Sequence, residues 1–231
     1  MKHASVALSL LAAMTMVSHA APSEKGPDVL ETLLPAIQKA TSEFDQIDAE
    51  RKQQLEKVAA FIREHVKAGK PVELTTICTH NSRRSHLSQL WAQAAACYYG
   101  LEGVTTYSGG TEEAACNYRT VRALRRAGFS IAQSTEGENP VYLAQYSENH
   151  PPSKLYSKVF DTKENPQKDF VALFVCDHAA ESCPVVPNAG LRIPILYVDP
   201  KASDGTPAED ATYDERCQQI AREMLYLMSK V

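Results

Sequence analysis

Chemistry in this chain concentrates where Cys78 is followed at the sixth position by Arg84 and then by Ser85, in the run Cys78-Thr79-His80-Asn81-Ser82-Arg83-Arg84-Ser85. An apolar run ends on Cys78 and a helical pattern begins at Ser85, so the segment reads as a loop between a strand and a helix. Backbone N–H groups turned into such a loop, with the positive end of the following helix, make a cradle for an anion. A thiol at its base has its thiolate stabilised and becomes a nucleophile at neutral pH. Arg84 can return across the loop and grip two oxygens of a tetrahedral anion bidentately. Ser85 can donate to the thiolate and help it leave in a second step, while the Asn81 amide can brace the loop. Thr79, His80, Ser82 and Arg83 supply the rest of the wall, as substrate-binding candidates. A Cys-x5-Arg spacing alone is common by chance. The preceding strand and the following serine give it force.

The elements that must position this loop follow from the hydrophobic periodicity. From residue 70 onward strand alternates with helix: a strand over 72–78, a helix over 85–99 stopped by Gly100, a strand over 104–107 and a basic-faced helix over 115–127 ending at Gly128. Runs at 141–146 and 155–160 read as a hairpin across Asn149-His150-Pro151-Pro152. Strands over 170–176 and 193–198 and a closing helix over 213–228 complete the pattern. Alternation of this kind predicts parallel strands joined by right-handed crossovers. Ligands in such sheets bind beyond the carboxyl ends of the strands, where Cys78, Cys176 and Asp199 all fall. Upstream, a helix from Asp28, capped with Glu31 three residues on, and a second over 48–68 form an extension whose expected role is packing. Pro35 should end or kink a turn of the first.

Composition bounds the function classes. The chain has 231 residues, 44% hydrophobic and 23% charged, with a formal net charge of -4. These are ordinary globular ratios, and the acidic balance argues against a nucleic-acid binder working by bulk charge. Six cysteines are too sparse for a small disulfide scaffold but enough for a bridge, a metal site or a catalytic thiol. Lys2, the apolar run 4–17 and Ser18-His19-Ala20 read as a secretory signal with cleavage after Ala20, too short for a spanning helix. The expected location is therefore secreted or periplasmic, where thiols tend to oxidise. The expected organisation is a signal peptide over 1–20, a helical extension over 21–69 and a catalytic domain over 70–231 with an insert at 134–169.

The loop resembles the phosphate loop of the low-molecular-weight protein tyrosine phosphatases and of their relatives, the thioredoxin-coupled arsenate reductases. The similarity continues in Tyr107-Ser108-Gly109-Gly110-Thr111, in the helix from Asn117 to Gly128, at 170–184 and in Val198-Asp199-Pro200. It covers roughly 72–133 and 170–228; the extension 21–69 and the insert 134–169 match nothing in the pattern. The resemblance implies a three-layer α/β/α fold around a central four-stranded parallel sheet, here with an N-terminal helical extension and an inserted hairpin. It also implies that Asp199 is the general acid that protonates the leaving oxygen and then activates water, as a poor leaving group requires. Cys176 and Cys183 are similar to the redox pair of the reductases, in which one thiol attacks the nucleophile and the other resolves a disulfide.

Three departures qualify the resemblance. His80 replaces a small glycine, Arg83 stands where a second cysteine is common, and Lys201-Ala202-Ser203-Asp204 lacks the paired aromatics that wall a phosphotyrosine pocket. The first expectation is a cysteine-dependent phosphomonoester hydrolase acting on a phosphorylated small molecule or phosphoprotein, with no metal and no organic cofactor. The second is an arsenate reductase relaying through Cys78, Cys176 and Cys183 with an exported thiol–disulfide donor as reductant. The third is an oxyanion- or phosphoprotein-binding module with little turnover. Cys176 and Cys183 could equally form a structural disulfide after export, and a zinc site from Cys176, His178 and Cys183 lacks a fourth ligand. Cys97, Cys116 and Cys217 read as small packing residues. Arg119, Arg122, Arg125 and Arg126 read as a solvated basic face or a dock for an acidic partner. Tyr142, Tyr146 and Tyr156 read as a lid or as edge packing.

Overall fold

The computed structural model describes residues 27–182 and 185–231. The expected signal over 1–20, the leader after it and Cys183 lie outside the described residues. Four strands, β1 (Val72–Cys78), β2 (Val104–Gly110), β6 (Val171–Phe174) and β7 (Leu191–Pro194), form a parallel sheet in the order β2-β1-β6-β7. β1 is central and six of its seven residues are buried, so its hydrophobic and β-branched run suits a strand covered on both faces. Thr76 is accommodated there because its hydroxyl donates to the Ser85 carbonyl at 2.8 Å.

Helices flank this sheet, which is the expected α/β architecture. α3 (Arg84–Tyr98) follows β1 and packs against both β1 and β2 on one side and α6 (Glu209–Ser229) on the other. Its alanines let it lie close to both, and Trp91 and Leu90 are wholly buried between them. α4 (Tyr118–Arg126) also packs on α6, and α5 (Asp177–Ser182) is a short helix after β6 that the periodicity did not show. The basic face of α4 finds partners within the chain. Arg119, Arg122 and Arg126 pair with Glu209, Asp210 and Asp214 of α6, and Arg125 donates to the Ile131 carbonyl.

The extension contains α1 (Leu34–Ser42) and α2 (Ala49–Lys67), both packed on α6. Asp48 caps α2 by accepting from the Arg51 amide at 2.8 Å. Pro35 sits in the first turn of α1, where its missing N–H costs nothing, rather than ending a turn. The expected Asp28–Glu31 cap does not form. The Asp28 carboxylate instead accepts from Ser147 and Asn149 of the insert, because tertiary donors outcompete a marginal local cap.

The predicted hairpin is part of a larger element. β4 (Tyr142–Gln145) pairs antiparallel with β5 (Ser153–Leu155), which precedes the expected second strand over 155–160 and shares only Leu155 with it, and on its other edge with β3 (Ser130–Gln133). Tyr142 and Tyr146 are buried beneath this three-stranded sheet and form no lid. Among the described residues no helix is long and apolar enough to cross a membrane.

Candidate functional site

β1 and β2 pair in register so that Cys78 lies opposite Gly110, and β1 pairs with β6 so that Ile77 lies opposite Phe174. Three strand ends therefore meet at one edge, and the loop 79–83 leaves that edge to start α3. Cys78 is buried, with its Sγ 3.1 Å from the Ser85 Oγ. Asn81 makes the turn at φ 44°, a left-handed conformation that asparagine tolerates. Its Nδ2 donates to the Ser85 Oγ at 2.9 Å, and its Oδ1 accepts from the Lys158 amide at 3.1 Å. The Ser85 oxygen accepts from Asn81, and its own proton can be given to the Cys78 sulfur when that is a thiolate. A developing thiolate gains a donor in this way, the arrangement a cysteine nucleophile needs.

The loop is also clamped from outside. The Thr111 amide donates to the Cys78 carbonyl at 3.1 Å and the Glu112 amide to the Thr79 carbonyl at 2.8 Å. Gly110 makes this closeness possible: a Cβ there would stand 2.6 Å from the Thr79 carbonyl oxygen and 2.8 Å from the Asn81 nitrogen. A Cβ on Gly109 would stand 2.2 Å from the Phe160 Cα. The insert thus leans on the end of β2 and, through the Lys158 backbone, on the loop itself.

Arg84 and Asp199 face one another across the loop mouth. One terminal nitrogen of Arg84 donates to the Tyr197 carbonyl at 2.8 Å, and the other to the Asp199 Oδ2 at 2.9 Å. Each of these nitrogens carries a second N–H that can serve an oxyanion. Asp199 also caps a short 3₁₀ turn, its Oδ1 accepting from the Lys201 amide at 3.0 Å. Arg83, expected beside the substrate, turns towards the segment 199–204 and α6. Its Nε donates to the Tyr213 hydroxyl at 2.9 Å, its Nη2 to Asp204 at 3.3 Å, and Asp199 lies 3.9 Å away. Asp204 and Arg83 push the phenol of Tyr213 in opposite senses. Burial and the hydrogen bond to Asp204 prevail, raising it well above the ordinary tyrosine range.

The remaining expected wall residues separate. The Thr79 Oγ1 lies 3.5 Å from the Cys176 Sγ and 3.3 Å from the His178 Nδ1. Cys176 is a buried free thiol just beyond β6. His80 is half exposed at the rim, 3.5 Å from Glu112, and its carbonyl accepts from Ser157. Ser82 contributes its carbonyl to the frame, accepting from the Asn117 amide and the Thr120 hydroxyl.

Several supporting residues carried no sequence signal. Arg51 of α2 donates to the Leu196 carbonyl at 2.8 Å, lies over the Tyr197 ring and pairs with the buried Glu223 at 3.5 Å. The extension therefore braces the backbone that holds Arg84 and leads to Asp199. His86 is fully buried, with its ring nitrogens 3.4 Å from the Ser82 carbonyl and 3.2 Å from that of Tyr156. Burial, aided by the Lys158 ammonium, pushes it down to about 3, so it is neutral. Burial likewise pushes Lys158 down to about 8, and its ammonium sits over the Tyr156 ring. Cys116 and Cys217 are buried thiols pushed up to about 12, which agrees with packing roles. Cys217 also accepts from the Trp91 indole at 3.2 Å.

Comparison with known proteins bears on this site. No protein-family model matches the chain. An arsenate reductase of Halalkalibacterium halodurans is 29% identical over 133 residues, 58% of this chain and 77% of the relative. That of Bacillus licheniformis is 28% identical over 149 residues, 64% of this chain and 88% of the relative. Among solved structures, an arsenate reductase from Archaeoglobus fulgidus superposes with a TM-score of 0.45 at 17% identity, covering 68% of this chain and 98% of the other. A low-molecular-weight protein tyrosine phosphatase from T. tengcongensis gives a TM-score of 0.46 at 15% identity, over 69% and 99%.

Proposed function

We propose that this chain, a member of the superfamily of low-molecular-weight protein tyrosine phosphatases and arsenate reductases, reduces arsenate by a thiol relay. The observation that carries the reading is the free, buried Cys176 thiol 3.5 Å from the hydroxyl of Thr79, the residue after the nucleophile. Hydrolysis needs only one thiol, whereas a relay needs the second. The curated relatives that match the chain are arsenate reductases, which supports the same choice. So does the lack of paired aromatics after Asp199-Pro200.

In this reading the Cys78 thiolate attacks arsenic(V), an As–S bond forms, and an oxygen leaves as water. The Arg84 guanidinium and the loop amides hold the remaining oxygens. The Cys176 thiolate then attacks the Cys78 sulfur. An S–S bond forms, the As–S pair of electrons returns to arsenic, and arsenic(III) leaves as arsenite. Cys183 attacks Cys176, freeing Cys78 and leaving a Cys176–Cys183 disulfide. A dithiol reductant restores both thiols. We further take the chain to be exported after cleavage behind Ala20, so that the reductant is an exported thiol–disulfide donor.

The second reading is phosphomonoester hydrolysis, and the facing of Asp199 and Arg84 favours it. Cys78 would displace the alcohol from phosphorus as Asp199 protonates it. Asp199 would then take a proton from the water that releases phosphate. The chain would be assayed with arsenate plus a dithiol and with an aryl phosphate, alongside Cys78→Ser, Cys176→Ser, Cys183→Ser and Asp199→Asn. The relay requires arsenite formation that all three cysteine changes abolish. Aryl phosphate turnover lost only in Cys78→Ser and Asp199→Asn, without arsenate turnover, would overturn the relay in favour of hydrolysis. Oxyanion binding with neither turnover would overturn both.

A further inference from the structure

Asp28, Cys97 and His150 bring together three parts of the chain: the start of the extension, the last turn of α3 and the tip between β4 and β5. Their ligand atoms lie within 4.8 Å of one another. The His150 Nε2 is 3.3 Å from the Asp28 Oδ2, and the Cys97 thiol donates to the Asp28 backbone carbonyl at 2.6 Å. The Asp28 Oδ1 accepts from the Ser147 hydroxyl and the Asn149 amide, each at 2.8 Å. That leaves Oδ2 turned towards the imidazole. Outer donors of this kind fix a carboxylate in the orientation a metal ligand needs. The His150 ring is further aligned by stacking on Tyr146, whose carbonyl accepts from the Leu30 amide.

We propose that Asp28, Cys97 and His150 bind one borderline-soft divalent cation, of which Zn2+ is the type, in a site that fastens the extension and the insert to the far end of α3. Thiolate, imidazole and carboxylate are the donor types zinc selects, and calcium or magnesium would not take the sulfur. Around a tetrahedral zinc such donors stand roughly 3.3–3.6 Å apart, so the three groups need to close by about 1 Å. The proton of the Cys97 thiol passes to solvent as the metal–sulfur bond forms. All three residues line a cleft of about 1190 Å³ between the β2 edge and the insert, which leaves the fourth position to water or a small ligand. Thirteen residues separate Cys97 from Arg84 along α3, roughly 20 Å at the helical rise. The site is therefore distinct from the chemistry at Cys78, and it binds the two segments that the family pattern does not contain.

Cobalt(II) serves as the probe, titrated into the reduced full chain carrying Cys78→Ser, Cys176→Ser and Cys183→Ser to remove competing thiols. One equivalent should give a thiolate-to-cobalt charge-transfer band in the near ultraviolet. Cys97→Ala should abolish the band, and His150→Ala, at an exposed position, should weaken binding at least tenfold. In the chain with its native cysteines, Zn2+ should raise the melting temperature, and His150→Ala should remove that rise. No thiolate band with Cys97 demonstrably reduced would overturn the proposal. So would equal affinity in His150→Ala and Asp28→Asn, or a zinc-dependent rise that His150→Ala leaves intact.

Discussion

Asn81→Ala tests how the loop holds Cys78, its proposed nucleophile. The change removes two hydrogen bonds and places alanine at φ 44°. The Lys158 amide loses its acceptor in a buried setting, which costs about 1–3 kcal/mol, and loss of the donor to Ser85 costs about 0.5–1.5 kcal/mol more. Holding alanine in a left-handed conformation adds about 1 kcal/mol. The total, about 2.5–5.5 kcal/mol, should lower the melting temperature by roughly 10 °C for a domain of this size. With no donor from Asn81, the Ser85 hydroxyl is no longer aimed at the Cys78 sulfur, and the thiolate loses a bond to a charged acceptor, a class of bond worth about 1.5–3 kcal/mol. The rate of Cys78 alkylation by iodoacetamide at pH 7, read on the Cys78 peptide by mass spectrometry, should therefore fall at least tenfold. Ser85→Ala separates the two effects. It should slow alkylation as much while costing less stability, because Lys158 keeps its acceptor. An Asn81→Ala chain within about 1 kcal/mol of the parent in urea, with unchanged Cys78 alkylation, would show that Asn81 does not hold the loop in this way.

Gly110→Ala should abolish turnover and oxyanion binding while the chain stays folded, since the new Cβ meets the backbone of Thr79 and Asn81; equilibrium binding of phosphate checks this. Arg51→Met should destabilise by about 2–4 kcal/mol because Glu223 is left buried without its partner. Glu223→Gln in the same chain should recover part of that loss, read by urea unfolding. His86 gives an acid-sensitivity prediction. The unfolded chain takes up its imidazole proton below about 6.5, whereas the folded chain resists until about 3, so stability falls as pH drops through that interval. Between pH 6.5 and 4 the loss from this residue alone is about 3 kcal/mol. Subtracting the pH profile of His86→Gln from that of the parent isolates it, and parallel profiles would exclude it.

Much of the site could be read in the sequence because its parts are local. Cys78, Asn81, Arg84 and Ser85 lie within eight residues, and a strand that ends on a thiol before a helix starts permits few conformations. The β1 boundaries agree because the run is short, β-branched and bounded by turn residues. The neighbouring strands extend differently: β2 runs on through Ser108-Gly109-Gly110, since pairing with β1 holds residues that propensity would release. β3 carries only four residues and owes its strand state to β4.

From the sequence alone came the loop 79–83 between a strand and a helix, the alternation that makes a parallel sheet and the candidates at its carboxyl edge. Tertiary structure alone decided what each candidate faces. It bonded Arg83 to Tyr213 and Asp204, and set Cys176 against Thr79. It made α2 a brace for Tyr197, and gathered Asp28, Cys97 and His150 from segments 69 and 53 residues apart. The physical reason is that periodicity specifies which face of an element is buried. Which polar groups then pair depends on distances between elements, which no local pattern contains.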